Sequence, residues 1–106
     1  MFKEIAKAES AAEEITTLRI RVEGLVQGVG FRAFVVKEAE ALKLSGWVRN
    51  RKDGTVEVLA SGPTKRVEDL LQAFLARPPS GARIENVDLL VADAPTKPGF
   101  SQRASL

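Results

Sequence analysis

The chain has 106 residues, 44% hydrophobic and 28% charged, with a formal net charge of +2, which fits one globular domain and leaves no room for a second. It holds no cysteine and no histidine, excluding a disulfide framework, a thiolate zinc site, a cysteine nucleophile, a phosphohistidine and the commonest general base. The small positive charge suits small anions without indicating nucleic acid, and no apolar run is long enough to cross a membrane.

Residues 1–16 are rich in Ala, Glu and Lys, with Ile5 and Ile15 as sparse apolar points. Ser10 and Glu13 have capping-box spacing, yet Thr16-Thr17 turns toward strand composition. The segment reads as a mobile N-terminal extension, with the domain proper at 17–106. Because the first residues lack the apolar stretch of a secretory signal, the cytoplasm is the expected compartment.

Leu18, Ile20 and Val22 alternate with Thr17, Arg19, Arg21 and Glu23, the period of a half-buried strand. Phe31, Phe34, Val35, Ala41 and Leu42 then recur at roughly helical spacing. Between them lies Gly24-Leu25-Val26-Gln27-Gly28-Val29-Gly30-Phe31-Arg32. A glycine-rich turn between strand and helix points backbone N–H groups into a common space, where they bind an anion. Arg32 adds a planar fork of donors matched to two phosphoryl oxygens. On these residues alone, the turn reads equally as a phosphate cradle or as a tight turn with a surface arginine.

After a break at Ser45-Gly46, Trp47-Val48-Arg49-Asn50 begins a strand. Asp53-Gly54 signals a hairpin, and 55–60 resumes as a strand. Arg49, Arg51 and Lys52 read as a solvated basic turn. Ser61-Gly62-Pro63-Thr64 opens a second helix, with Val67, Leu70, Leu71, Phe74 and Leu75 as its apolar stripe and Pro78-Pro79 as its end. Val87, Leu89 and Val91 mark a fourth strand, and Phe100 begins a possible short fifth.

The order βαββαβ predicts a ferredoxin-like α/β sandwich of the α+β class: an antiparallel sheet with two helices on one face. A right-handed crossover makes the first two strands run the same way. Asn50, at the end of the second strand, then lies near the glycine turn and Arg32. Taken alone, an asparagine before a hairpin is ordinary turn chemistry.

The segments Gly24 to Arg32 and Gly46-Trp47-Val48-Arg49-Asn50, followed by Asp53-Gly54-Thr55-Val56-Glu57, closely resemble those of the acylphosphatases. The resemblance extends through Gly81-Ala82 and the strand from Ile84, covering about residues 17–92. It implies hydrolysis of carboxyl-phosphate bonds on a ferredoxin-like fold, with no metal or other cofactor. It implies that Arg32 binds the substrate phosphate with the amides of Gln27, Gly28, Val29, Gly30 and Phe31. Asn50 would position the attacking water. The resemblance also takes in the family's terminal strand, which segment 100–106 fits imperfectly.

The composition allows that chemistry. An acyl phosphate releases a carboxylate whose conjugate acid has a pKa of ~4, so no strong general acid is needed. Phosphoryl transfer needs mostly in-line positioning and charge stabilisation. The expected partners are a small acyl phosphate substrate and inorganic phosphate as product and inhibitor. Neither nucleic acid nor membrane is expected, and the chain is expected to act as a monomer.

Competing readings meet the same residues. Gly28-Val29-Gly30-Phe31-Arg32-Ala33 fits a relaxed dinucleotide fingerprint, but the following strand enters a hairpin instead of another crossover. A Walker loop would need Lys-Ser/Thr. An RNA-binding module of this fold would place aromatics on the central strands, and 17–23 and 55–60 contain none. A non-catalytic, regulatory acylphosphatase-like domain that keeps the anion pocket is the remaining alternative.

Overall fold

The structure, a computed structural model, describes residues 14–105. Its elements run β1 (Ile15–Leu25), α1 (Phe31–Ala41), β2 (Ser45–Asn50), β3 (Val56–Pro63), α2 (Thr64–Ala76), β4 (Arg83–Val91) and β5 (Phe100–Gln102). The sheet order is β4-β1-β3-β2-β5, with both helices on one face, the ferredoxin-like α+β arrangement. Strand β3 pairs antiparallel with β1 and with β2, so β1 and β2 run parallel across it. The sheet is mixed instead of fully antiparallel, because β5 joins β2 in parallel through Gly46–Phe100, Trp47–Ser101 and Val48–Gln102. Among the described residues, no helix is long and apolar enough to cross a membrane.

Strand alternation sends Ile20, Val22, Val48, Val56, Val58 and Ala60 to the helical side. There they meet Phe31, Val35 and Ala39 of α1, and Val67, Leu70 and Phe74 of α2. The Phe74 ring lies 5.4 Å from that of Phe31 and 6.4 Å from that of Phe34, joining the helices above the sheet. Each large side chain so buried contributes roughly 1.5–3 kcal/mol.

Several element boundaries differ from the sequence expectation. The first strand begins at Ile15, and residues 14–16 are tied to the domain. Thr64 N–H donates to the Glu14 carbonyl at 3.3 Å, and the Thr16 and Thr64 hydroxyls are 2.6 Å apart. Residues 1–13 of the expected mobile extension lie outside the described residues. Strand β3 continues through Ser61, Gly62 and Pro63, where β1 supplies partners, so α2 starts only at Thr64. Helix α1 ends at Ala41; Ala39 and Leu44 are buried where Ala41 was expected. At the periphery, Leu75, Leu89 and Val91 are exposed despite their apolar periodicity, because none of the described residues packs over them.

Candidate active site

The crossover brings the C-terminal end of β1, the N-terminus of α1 and the C-terminal end of β2 together. A pocket of about 140 Å³ lies there, lined by Val26, Gly28, Gly30, Phe31, Arg32 and Asn50, and also by Ala33 and Gln102. Gly28 and Gly30 have φ of +77° and +79°, a left-handed conformation that side chains with a Cβ rarely adopt. Among the described residues nothing lies within 4 Å of where their Cβ atoms would stand, so the constraint on these two positions is conformational. Gly30 is the N-cap of α1 and has no capping side chain, and the first turn holds no acidic residue. The helix therefore presents uncapped N–H groups and its positive end to the pocket.

Arg32, in that first turn, is half-buried and enters none of the ion pairs found among the described residues. Asn50 faces it from the last position of β2, opposite Val56. The Asn50 Oδ1 atom is buried and has no hydrogen-bond partner among the described residues. A buried acceptor left unpaired costs about 1–3 kcal/mol. Its place in the pocket makes it a ready acceptor for a hydrogen bond from water or another donor.

Gln27 and Val29 do not line this pocket, unlike the other residues expected of the phosphate cradle. The Gln27 side chain instead donates from Nε2 to the carbonyls of Arg51 (2.8 Å) and Thr55 (2.9 Å), clasping the glycine turn to the β2–β3 hairpin. The Val29 side chain packs toward the core. Gln102 was missed from sequence. It enters the pocket only because β5 pairs beside β2, a long-range event with no local signal. Within the hairpin, the Thr55 hydroxyl (2.6 Å) and then its N–H (3.0 Å) donate to Asp53 and hold that carboxyl below its usual value.

Arg49 and Arg51 are half-buried and ion-paired. Arg49 Nε donates to Glu57 Oε1 at 2.9 Å and Arg51 Nη1 donates to the same oxygen at 3.0 Å. Arg19 Nε lies 3.5 Å from Glu57 Oε2. The Glu57 side chain is only 7% exposed. Burial pushes its carboxyl up, but the hydrogen bonds from Arg49 and Arg51 and the charges of Arg49 and Arg19 outweigh it. The Glu57 pKa therefore lies below its ordinary 4.5. Lys52 is the member of the basic turn that stays exposed. On this open face a larger groove of about 570 Å³ is lined by Arg19, Arg21, Arg51, Glu57, Asp88 and two leucines. It lacks the glycine turn and the uncapped helix end, so the smaller pocket is the candidate site. Among the described residues, no three Asp or Glu side chains gather into a group able to hold a cation.

Comparison with known proteins agrees with this arrangement. A family model described as Acylphosphatase matches residues 18–102. An acylphosphatase of Rhodospirillum rubrum is 50% identical over 90 residues, spanning 85% of this chain and 98% of that protein. The acylphosphatase structure from Coxiella burnetii gives a TM-score of 0.78 at 35% identity, over 86% of this chain and 95% of that one. That from Bacillus subtilis gives 0.76 at 36% identity, over 85% and 99%. The chain belongs to the acylphosphatase family, and as an enzyme it is an acylphosphatase.

Two outcomes are expected from this geometry. Gln27→Leu leaves the two carbonyls without their side-chain donor and should lower stability by about 1–3 kcal/mol in denaturant titration. Unchanged stability would show that the Gln27 side chain does not clasp the turn to the hairpin. The second concerns acid. Because the folded Glu57 pKa is depressed, its contribution is fully present above the ordinary value of 4.5 and is lost as pH falls through the lower folded value. Melting temperature measured from about pH 6 down to about pH 3 should fall less steeply in Glu57→Gln than in the parent protein.

Proposed function

We propose that the pocket hydrolyses acyl phosphates by in-line attack of water, releasing a carboxylate and inorganic phosphate. The observation that carries the reading is the buried, unpartnered Asn50 Oδ1 in the same small pocket as Arg32 and the glycine turn. Arg32 holds two phosphoryl oxygens through its guanidinium fork, and the N–H groups of the turn and the first turn of α1 take the remaining charge. Asn50 Oδ1 accepts a hydrogen bond from water and aims its lone pair at phosphorus. The new P–O bond forms opposite the bond that breaks, and the electron pair of the latter leaves on the carboxylate. The proton lost by water passes to a phosphoryl oxygen, so no histidine or cysteine is required. The carboxylate leaves unprotonated because its conjugate acid has a pKa of ~4. All assigned groups come from one chain, and the reading extends to a monomer working in the cytoplasm.

Kinetics on a simple aryl acyl phosphate separates the two roles. Arg32→Lys keeps the charge but loses the fork, so both phosphate affinity and turnover should fall sharply. Asn50→Ala should leave phosphate inhibition unchanged and lower kcat by an amount equivalent to about 2–4 kcal/mol of barrier. Normal kcat in a folded Asn50→Ala protein would remove Asn50 from the mechanism. Activity should also survive exhaustive chelation, because Arg32 and the backbone amides supply the positive charge at phosphate. Loss with EDTA and recovery with magnesium would require another mechanism.

A further inference from the structure

We propose that Glu57 is a positioning residue for Asn50, acting from the opposite face of the sheet. The inference rests on the role just given to Asn50. Strand alternation turns the Asn50 side chain toward the pocket and its neighbours Arg49 and Arg51 toward the open face. There one oxygen of one carboxylate receives both neighbours, at 2.9 and 3.0 Å. Residue 50 is the last of β2, bordering the 51–55 turn, where a strand ordinarily frays. Glu57 belongs to β3, the strand paired with both β1 and β2. The backbone on both sides of Asn50 is thereby tied to the middle of the sheet.

The clamp is held on every side. The Arg49 guanidinium also lies over the Trp47 ring at 4.7 Å, with Arg103 at 4.9 Å. From the pocket side, Gln27 holds the Arg51 carbonyl at 2.8 Å. The charged groups around Glu57 are Arg19 and Arg21 from β1, Arg49 from β2, Arg51 from the turn and Asp88 from β4. Arg21 is itself 3.5 Å from Asp88, leaving Arg19, Arg49 and Arg51 to Glu57. Charge-assisted hydrogen bonds are shorter and more directional than neutral ones, so removing this carboxylate allows Asn50 to shift. A misplacement of about 1 Å can cost about 100-fold in rate.

The test is a double-mutant cycle read by kcat, KM and phosphate inhibition. Glu57→Gln should lower kcat about 10-fold to 100-fold and leave phosphate inhibition within about twofold. In an Asn50→Ala background the same substitution should change kcat by less than about twofold, because Glu57 then has nothing to position. A merely stabilising Glu57 would lower the melting temperature without this coupling. Should Glu57→Gln fail to fold, Arg51→Met carries the same cycle, since Arg49 and Arg19 still neutralise the carboxylate. Full additivity with Asn50→Ala, a rise in the phosphate inhibition constant matching the loss of kcat, or unchanged kcat would each overturn the proposal. Normal kcat in Asn50→Ala alone would instead overturn the role of Asn50 and, with it, that of Glu57.

Discussion

Strand β3 lies between β1 and β2 and is antiparallel to both, and the site depends on that placement. Two strands that flank a common antiparallel neighbour must run parallel, so their C-terminal ends fall at the same end of the sheet. One end releases the chain into the glycine turn and the other carries Asn50. The two never pair with each other; β3 sets the distance between them. Its helical face contributes Val56, Val58 and Ala60 to the core, while its other face contributes Glu57. A slip of one residue in either pairing would exchange those faces, burying the carboxylate among the helices and turning Asn50 away from Arg32. The hydrophobic core therefore enforces the register that the chemistry uses.

The two faces of the sheet solve different problems. The helical face is packed with aliphatic and aromatic side chains and resists displacement of the strands. The open face is held by guanidinium groups, with Trp47 between Arg49 and Arg103 and Glu57 among three arginines. A carboxylate this buried is unfavourable unless paired. Here the pairing comes from long side chains that also cover apolar surface, which is why Trp47, Glu57 and Leu59 are buried on the face away from the two described helices.

The pocket is small, and its hydrogen-bonding capacity is concentrated on few groups. Backbone donors at a helix N-terminus require no reorganisation when charge develops on a phosphoryl oxygen. Arg32 stands free of the ion pairs that absorb Arg49 and Arg51. Topology separates these three arginines: Arg32 lines the pocket on the helical face, whereas Arg49 and Arg51 are tied to Glu57 on the open face. Chemical type alone does not distinguish them.

Much of this was legible before the fold was known. Alternation in 17–23, the Asp53-Gly54 turn and the helical stripe through Val67, Leu70 and Phe74 are signals between near neighbours, and each survives in the structure. The left-handed Gly28 and Gly30 and the position of Arg32 in the first turn of α1 are equally local. What the sequence determined by itself was this set of elements, the glycine turn between β1 and α1, and the absence of histidine and cysteine chemistry. Tertiary structure alone decided that Gln27 spends its amide on the hairpin, that Arg49 and Arg51 converge on Glu57, and that Gln102 reaches the pocket from β5. It also decided where β3 stops, since Ser61 to Pro63 remain extended only because β1 lies beside them. Each of these outcomes depends on which strand lies against which, and that choice minimises the free energy of the whole chain without leaving a trace in any one segment.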